Sequence, residues 1–171
     1  IQPGTQVNGR SGQLTDFKIT GAGIIKAVGT AANPITFRGF KFIIEALTND
    51  SECMFQHCIL RDNYCVLEFR NPAGVTEQSD LRFDHSEFSG GGYTILYVTS
   101  GGNPTITNCI FHDGRSGIFL HGGDDVVVRN TVIYNTGTAI INGSMDNWVQ
   151  DLTVDHCVIY DVDMDGPYSW A

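Results

Sequence analysis

Charged residues are scarce in this chain, and basic residues especially so. Only 17% of the 171 residues are charged, and 19 acidic residues outnumber 10 basic ones, which gives a formal net charge of −9. An acidic chain of this kind argues against nucleic acid as a partner. It also argues against direct binding of polyanionic sugars, unless a cation such as Ca²⁺ bridges the two negative surfaces.

Long apolar runs, helical periodicity and familiar catalytic motifs are also missing. No apolar stretch reaches 18 residues, so no membrane span is predicted. No heptad or 3.6-residue period is found, so helices should be few. The chain has no Gly-rich phosphate loop, no nucleophile elbow and no metal-binding His pair. Its five cysteines are an odd number without a C-x-x-C, which indicates neither a zinc site nor a disulfide framework.

The composition that remains is that of a turn-rich β protein. Apolar residues make up 42% of the chain, which also contains 20 glycines, and the length predicts one domain over residues 1–171. Residues 1–15 are interpreted as an irregular lead-in or partial coil, and residues 163–171 as a C-terminal tail. Because the chain begins at Ile1 without Met, we expect a processed mature chain or a fragment.

A repeat can be aligned from residue 53 onward on one polar column, which we call the anchor column. Its members are His57, His85, Asn108, Asn130 and His156, at intervals of 28, 23, 22 and 26 residues. Two residues before the anchor stand Phe55, Phe83, Ile106, Val128 and Val154, and three residues after it stand Leu60, Phe88, Phe111, Ile133 and Ile159. A unit this small cannot bury its own apolar face. The copies must therefore stack about 4.8 Å apart, with these two columns as the interior.

The alignment also places the cysteines. The column directly after the anchor holds only small residues: Cys58, Ser86, Cys109, Thr131 and Cys157. Cys65 is aligned with Thr94, Gly117 and Ala139, and Cys53 with Leu81, Val126 and Leu152. Stacked cysteines separated by a Ser or Thr coil would lie roughly 10 Å apart, too far to bridge. All five are predicted to be small buried hydrophobes with free thiols; a local Cys53–Cys58 or Cys58–Cys65 bridge is the alternative.

Three segments, ITNCIFHDGRSGIFLHG, VVVRNTVIYNTGTAIING and LTVDHCVIYD, resemble the repeats of the pectin-lyase-like superfamily. The earlier segment GIIKAVGTAANPITFRG resembles the opening coils of many secreted bacterial β-helix proteins. The resemblance implies an all-β, single-stranded, right-handed parallel β-helix, or β-solenoid, of about six to seven coils. It implies a secreted protein, extracellular or at the cell surface. It leaves the activity open, because lyases, hydrolases, epimerases, tailspikes and adhesins share this fold.

The densest polar cluster is the candidate catalytic set. It contains Asp113, Arg115, His121, Asp124 and Asp125, flanked by His112 and Arg129. Paired carboxylates and a base of this kind can perform acid–base chemistry on a sugar. Of the motifs carried by polygalacturonases in the superfamily, only the Asp-Asp pair has a counterpart here, at residues 124–125. The favoured interpretation is structural, because a solenoid places polar residues at every turn, as in the aligned column Asp62, Asp113, Asn135 and Asp161.

Two further kinds of site are suggested by short motifs. Asp161, Asp163 and Asp165, followed by Gly166, match the start of a calcium loop, although its twelfth position would be residue 172. Calcium is therefore the one cofactor considered, against a solvated acidic turn. Asn49 and Asn142 fit N-glycan acceptor motifs. Tyr134 and Tyr160 align with His112 and could form an outward row that stacks on a glycan or a partner, or simply on one another.

The leading functional hypothesis is a structural or binding β-solenoid, such as a fibre or adhesin-like module, with self-association end to end or a polysaccharide as partner. It rests on the small number of coils, the lack of a capping helix before residue 17 and the incomplete catalytic set. Uncapped coils expose strand edges that favour stacking of copies. The alternative is a carbohydrate-active enzyme, or a fragment of one, that acts on a uronate-containing polysaccharide through the candidate catalytic set.

Overall fold

The computed structural model describes ten stretches of the chain. They are residues 1–9, 15–19, 24–45, 53–61, 65–70, 79–90, 94–99, 102–121, 125–142 and 151–163. Within these stretches no helix is present, and hence none long and apolar enough to cross a membrane. The all-β prediction is confirmed.

Seventeen strands follow one another along the described stretches. They are β1 (Gln6–Asn8), β2 (Thr15–Ile19), β3 (Lys26–Val28), β4 (Ile35–Arg38), β5 (Phe40–Glu45), β6 (Cys53–Gln56), β7 (Cys58–Arg61), β8 (Cys65–Arg70), β9 (Ser79–Asp84), β10 (Glu87–Ser89), β11 (Thr94–Thr99), β12 (Gly102–Thr107), β13 (Ile110–His121), β14 (Val126–Arg129), β15 (Val132–Asn142), β16 (Leu152–Asp155) and β17 (Val158–Val162).

All pairings between these strands are parallel, and each strand pairs with its equivalents one coil away. A six-stranded sheet has the order β16-β14-β12-β9-β6-β3. An eleven-stranded sheet contains two stacks that merge in β13 and β15, because each of these long strands runs around a bend and takes part in both. The coils are β3–β5, β6–β8, β9–β11, β12–β13 and β14–β15, with incomplete ones at either end. In the described residues, the number of complete coils is therefore slightly smaller than the six to seven coils predicted.

The two apolar columns form the interior, as the sequence predicts. Phe55, Phe83, Phe88 and Phe111 are fully buried, and the rings of the last two stack 4.7 Å apart. Fully burying a side chain of this size stabilises the fold by about 1.5–3 kcal/mol. In the last coil the same columns reach the surface, where Val154 is 45% and Ile159 is 47% exposed.

One aligned column is wrong by a single residue. Leu96 pairs with Ile118, a step of 22 residues, whereas the alignment of Thr94 with Gly117 requires 23. Gly117 itself lies level with Ala139, as predicted, because Ile118 pairs with Ile140. The slip arose because small residues fill neighbouring positions on this strand, so residue size did not fix the register.

The four cysteines whose side chains are described are reduced. Cys53, Cys58, Cys109 and Cys157 have free thiols, the first three buried. This confirms the prediction of a free thiol for these four and of burial for the first three, while Cys157 is partly buried. It excludes both the Cys53–Cys58 and the Cys58–Cys65 bridge. The side chain of Cys65 lies outside the described part of the structure.

Candidate functional site

Every residue of the anchor column is a left-handed turn. His57, His85, Asn108, Asn130 and His156 have φ angles of 48°, 47°, 55°, 51° and 52°. Asn, Asp and His tolerate this conformation better than other side chains with a Cβ. The N–H groups of the first four anchor residues each donate to a carbonyl of the next coil, as in the bond from His57 N to Asp84 O at 3.1 Å. The backbone of the anchor column therefore has the same conformation in every coil.

The small column after the anchor is a row of hydrogen-bond donors. Each thiol or hydroxyl donates to the carbonyl two residues earlier: Cys58 to Gln56 (3.4 Å), Ser86 to Asp84 (2.9 Å), Cys109 to Thr107 (3.1 Å), Thr131 to Arg129 (3.0 Å) and Cys157 to Asp155 (3.3 Å). Burial raises the pKa of the Cys58 and Cys109 thiols to about 12, so both stay protonated and able to donate. The interpretation as small hydrophobes missed this shared donor role.

Asp84, which precedes His85, is the most heavily bonded carboxylate of the site. It accepts from Asn108 Nδ2 (2.9 Å), Thr107 Oγ1 (3.0 Å) and Gln56 Nε2 (3.1 Å), and it lies 2.9 Å from His85 Nδ1. Burial on its own would raise the pKa of Asp84, but these hydrogen bonds outweigh it and lower the pKa to about 2. Asp84 is therefore ionised at neutral pH.

A groove of about 320 Å³ runs along the outside of the anchor column. Its polar walls include His57, His85, Glu87 and Asn108, and its apolar walls include Ile59 and Ile110. Thr30 and Pro34, at the two ends of the extra residues between Gly29 and Ile35, also line it. The sequence did not predict this groove, although the 28-residue interval of the anchor column already placed His57 beside His85.

The predicted turn column at Asp113 is present as a second row of left-handed turns. Asp113, Asn135 and Asp161 have φ angles of 56°, 48° and 48°, while Gly39 and Gly90 take the equivalent turns after β4 and β10. Asp62, the fourth predicted member, lies outside the described residues. The sequence does not identify the two glycines as members, because the column is otherwise polar.

The Asp113 carboxylate is engaged within this row. It lies 2.8 Å from His112 Nδ1 and accepts a hydrogen bond from Asn135 Nδ2. These two hydrogen bonds lower the pKa of Asp113. His112 Nε2 in turn lies 3.3 Å from Glu87 Oε1, so both ring nitrogens contact carboxylates.

The candidate catalytic residues are distributed over two different turns. Asp113 lies at the bend inside β13, with Arg115 two residues farther along the strand. His121 ends β13, and Asp125 is an exposed left-handed residue (φ 53°) just before β14. Asp124 lies outside the described residues. The described members therefore belong to two corners of the coil.

The calcium and glycan motifs fall partly outside the described residues. Asp161 is exposed, Asp163 donates its N–H to Thr136 O at 3.1 Å, and Asp165 is not among the described residues. In the described stretches no group of three or more His, Cys, Asp or Glu side chains is arranged to hold a metal ion. Asn142 is the last residue of β15, with its backbone paired to Leu120. Asn49 lies outside the described residues. Calcium and glycosylation both stay predictions.

The predicted outward aromatic row is formed. The ring of Tyr134 stacks on His112 at 4.9 Å and on Tyr160 at 5.1 Å, with interplanar angles of 3° in both pairs. Stacking covers the faces of Tyr134, whereas Tyr160 is 46% exposed. The row thus presents ring edges along its length.

Comparison with known proteins agrees with this architecture. No significant match was found among curated proteins or among solved structures. A family profile described as the right handed beta helix region matches residues 43–168. Since this match covers well over half of a chain whose strands stack as a parallel solenoid, the protein belongs to the family of right-handed beta-helix proteins.

Proposed function

We propose that the protein is a structural or binding β-solenoid that works outside the cell or at its surface, and that it is not an enzyme. The proposal rests on one observation: the carboxylates of Asp84 and Asp113 accept hydrogen bonds within the turn columns. A general base works best with a pKa near the operating pH. The pKa of Asp84 is about 2 and that of Asp113 is lowered, each by hydrogen bonds within the turn columns. These two carboxylates are therefore better suited to accepting structural hydrogen bonds than to transferring protons.

The proposed ligand is a polysaccharide without dense negative charge. The net charge of −9 disfavours a polyanion. Tyr160 at the end of the aromatic row offers a partly exposed ring of the kind on which sugars stack. The groove beside the anchor column adds imidazole, carboxylate and amide groups on apolar walls, which matches the mixed character of ligand sites.

Affinity electrophoresis in gels that contain a neutral polysaccharide tests this binding. The wild-type protein should be retarded, and Tyr160→Ala should lose most of the retardation. Tyr97→Ala is the matched control, because Tyr97 also packs on a neighbouring ring, Phe119 at 5.1 Å, but in a different stack. Unretarded wild-type protein on every neutral polysaccharide tried would contradict the ligand proposal.

An activity assay tests the non-enzymatic part of the proposal. The purified protein is incubated with pectate and with alginate, and unsaturated uronides are followed by ultraviolet absorbance. We expect no release. Release that is abolished by Asp125→Ala would overturn the proposal in favour of a polysaccharide lyase.

The proposed protein partner is a second copy of the chain, joined end to end. At one end Phe17 is 41%, Ile24 is 53% and Val28 is 38% exposed. At the other end the interior columns surface at Val154 and Ile159. The two ends also differ in charge.

Among the described residues, the first end carries Lys18 and Lys26 with one carboxylate, Asp16. The described residues of the second end include four aspartates: Asp151, Asp155, Asp161 and Asp163. Opposite charges favour contact between unlike ends over contact between like ends.

A further inference from the structure

Two histidines from successive coils lie side by side in the groove. The ring centroids of His57 and His85 are 4.9 Å apart, with the rings tilted by 38°. Both residues have the same left-handed backbone, and their coils are joined at this point by the bond from His57 N to Asp84 O. The pair is therefore held by backbone geometry.

Asp84 orients one of the two rings. Its Oδ1 lies 2.9 Å from His85 Nδ1, so in the neutral ring the proton sits on Nδ1 and the lone pair on Nε2. A carboxylate on the second nitrogen is the usual support of a metal-binding histidine. Asp84 is fixed in turn by Gln56, Thr107 and Asn108.

His57 supplies the second imidazole. In the described part of the chain, no side chain or backbone group is hydrogen-bonded to its ring nitrogens, although the residue is half-buried in the groove wall. His112, by contrast, contacts carboxylates with both nitrogens. A half-buried polar ring that faces a groove is well placed to bind a ligand.

We propose that His57 and His85 together bind a divalent transition-metal ion that prefers imidazole, such as Zn²⁺ or Cu²⁺, with water completing its coordination. Zn–N bonds are about 2.0–2.1 Å long and zinc is usually tetrahedral, so the two ring nitrogens would lie about 3.4 Å apart. Rings whose centroids are 4.9 Å apart and whose planes are tilted by 38° can approach this closely at one edge. Imidazole ligands suit zinc, copper and nickel, whereas calcium and magnesium prefer oxygen.

The surroundings favour a cation at this point. Glu87 lines the same groove, and the whole chain carries a net charge of −9. The groove volume of about 320 Å³ leaves room for bound water. The site goes beyond the proposed function: it lies in the groove that also serves the proposed ligand, but metal binding requires neither a polysaccharide nor a second copy. A bound ion would cross-link two neighbouring coils and stabilise them by mass action.

Titration of the whole chain with Zn²⁺ alone, followed by isothermal titration calorimetry in a non-chelating buffer, tests the proposal. We expect His57→Asn and His85→Asn each to weaken binding at least about tenfold, because each removes one of two ligands. Asn suits the left-handed backbone, as it occupies the same column at Asn108 and Asn130. Asp84→Asn should weaken binding by about 10–100-fold, the usual effect of losing a supporting carboxylate.

His156→Asn is the matched control. His156 also lies beside a carboxylate, with Asp155 Oδ1 2.6 Å from its Nδ1, but the preceding coil offers Asn130 in place of a second imidazole. This variant should bind Zn²⁺ like the wild type. Wild-type affinity in His57→Asn or His85→Asn, or an equal loss in His156→Asn, would overturn the proposal.

Nuclear magnetic resonance of the wild-type protein tests the site without relying on the folding of any variant. Substoichiometric Zn²⁺ added to the wild-type protein should shift the ring signals of His57 and His85 and leave those of His156 in place. Unchanged signals of the first pair would overturn the proposal, whatever the variants do.

Discussion

At the residue scale, one backbone conformation explains most of the polar positions. Nine non-glycine residues of the described chain have positive φ, and every one is Asn, Asp or His. The sequence predicted that His57, Asn108 and Asp113 belong to repeating polar columns, and the structure confirms it. The sequence could not show the reason for these polar columns. An Asn, Asp or His that is present because it tolerates a left-handed backbone cannot be told in sequence from one that is present for catalysis. Asp113 is a clear example, since it stood among the catalytic candidates.

Replacing Asp113 with Asn should reduce the dependence of stability on acid. Hydrogen bonds from His112 and Asn135 lower the pKa of Asp113, so its contribution is full above its ordinary pKa and is lost as the pH falls below it. Because the side chain is 53% exposed, solvent screening limits the effect to less than about 1 kcal/mol.

The measurement is urea unfolding of both proteins at pH 7 and at several values below pH 4. Asn keeps the left-handed turn, as Asn135 does one coil later, so the comparison isolates the charge. The stability difference between wild type and variant should shrink toward low pH. A difference that stays constant with pH would show that the charge of Asp113 contributes nothing.

At the scale of the strands, the columns could be predicted better than their contacts. Alternating apolar residues were enough to assign the interior of β6, β9 and β14 correctly. They were not enough to reveal the row of hydrogen-bond donors that contains Cys58 and Ser86. In sequence, a thiol that only fills space cannot be told from a thiol that donates a hydrogen bond. The bond depends on the side chain turning back toward the carbonyl two residues earlier.

Ser86→Ala should test the donor row. Ser86 Oγ donates to Asp84 O at 2.9 Å and accepts from Cys58 N at 3.0 Å, and the side chain is buried. Its loss leaves a buried amide without a partner, which costs about 1–3 kcal/mol in the free energy of unfolding. Ser86→Thr is the control, because Thr131 fills the same column two coils later. Equal stability of all three proteins in urea unfolding would mean that the row only fills space.

At the scale of the whole molecule, the resemblance carried by the repeats predicted the family, and the match over residues 43–168 confirms it. Local motifs did not reveal the groove, although the repeat alignment had placed its two histidines in one column. Residues that meet there, such as His57 and His85, are 28 positions apart, and their contact depends on the register of two coils. The surface therefore emerges only once the stacking is known.

The ends of the solenoid should control self-association. In sedimentation velocity, we expect the wild-type protein to sediment faster as its concentration rises, and more so at low salt, because the charges of the two ends are opposite. Val154→Asp adds a charge to the exposed interior column at the acidic end and should give a concentration-independent monomer.

Val127→Asp is the control for that experiment. Val127 lies on the outward side of β14, one coil before the end, and receives the same change in charge and size. It should self-associate like the wild type. A wild-type protein that stays monomeric at every concentration and salt would rule out the end-to-end partner.

The buried free thiols can report where the solenoid begins to unfold. Cys53 and Cys58 belong to one coil, Cys109 to a later one and Cys157 to the last described coil. With the pKa of Cys58 and Cys109 raised to about 12 by burial, neither forms the thiolate that alkylating reagents require until its coil opens. The chain thus contains native probes at separate heights along the solenoid axis, and their order of labelling records the direction in which the coils come apart.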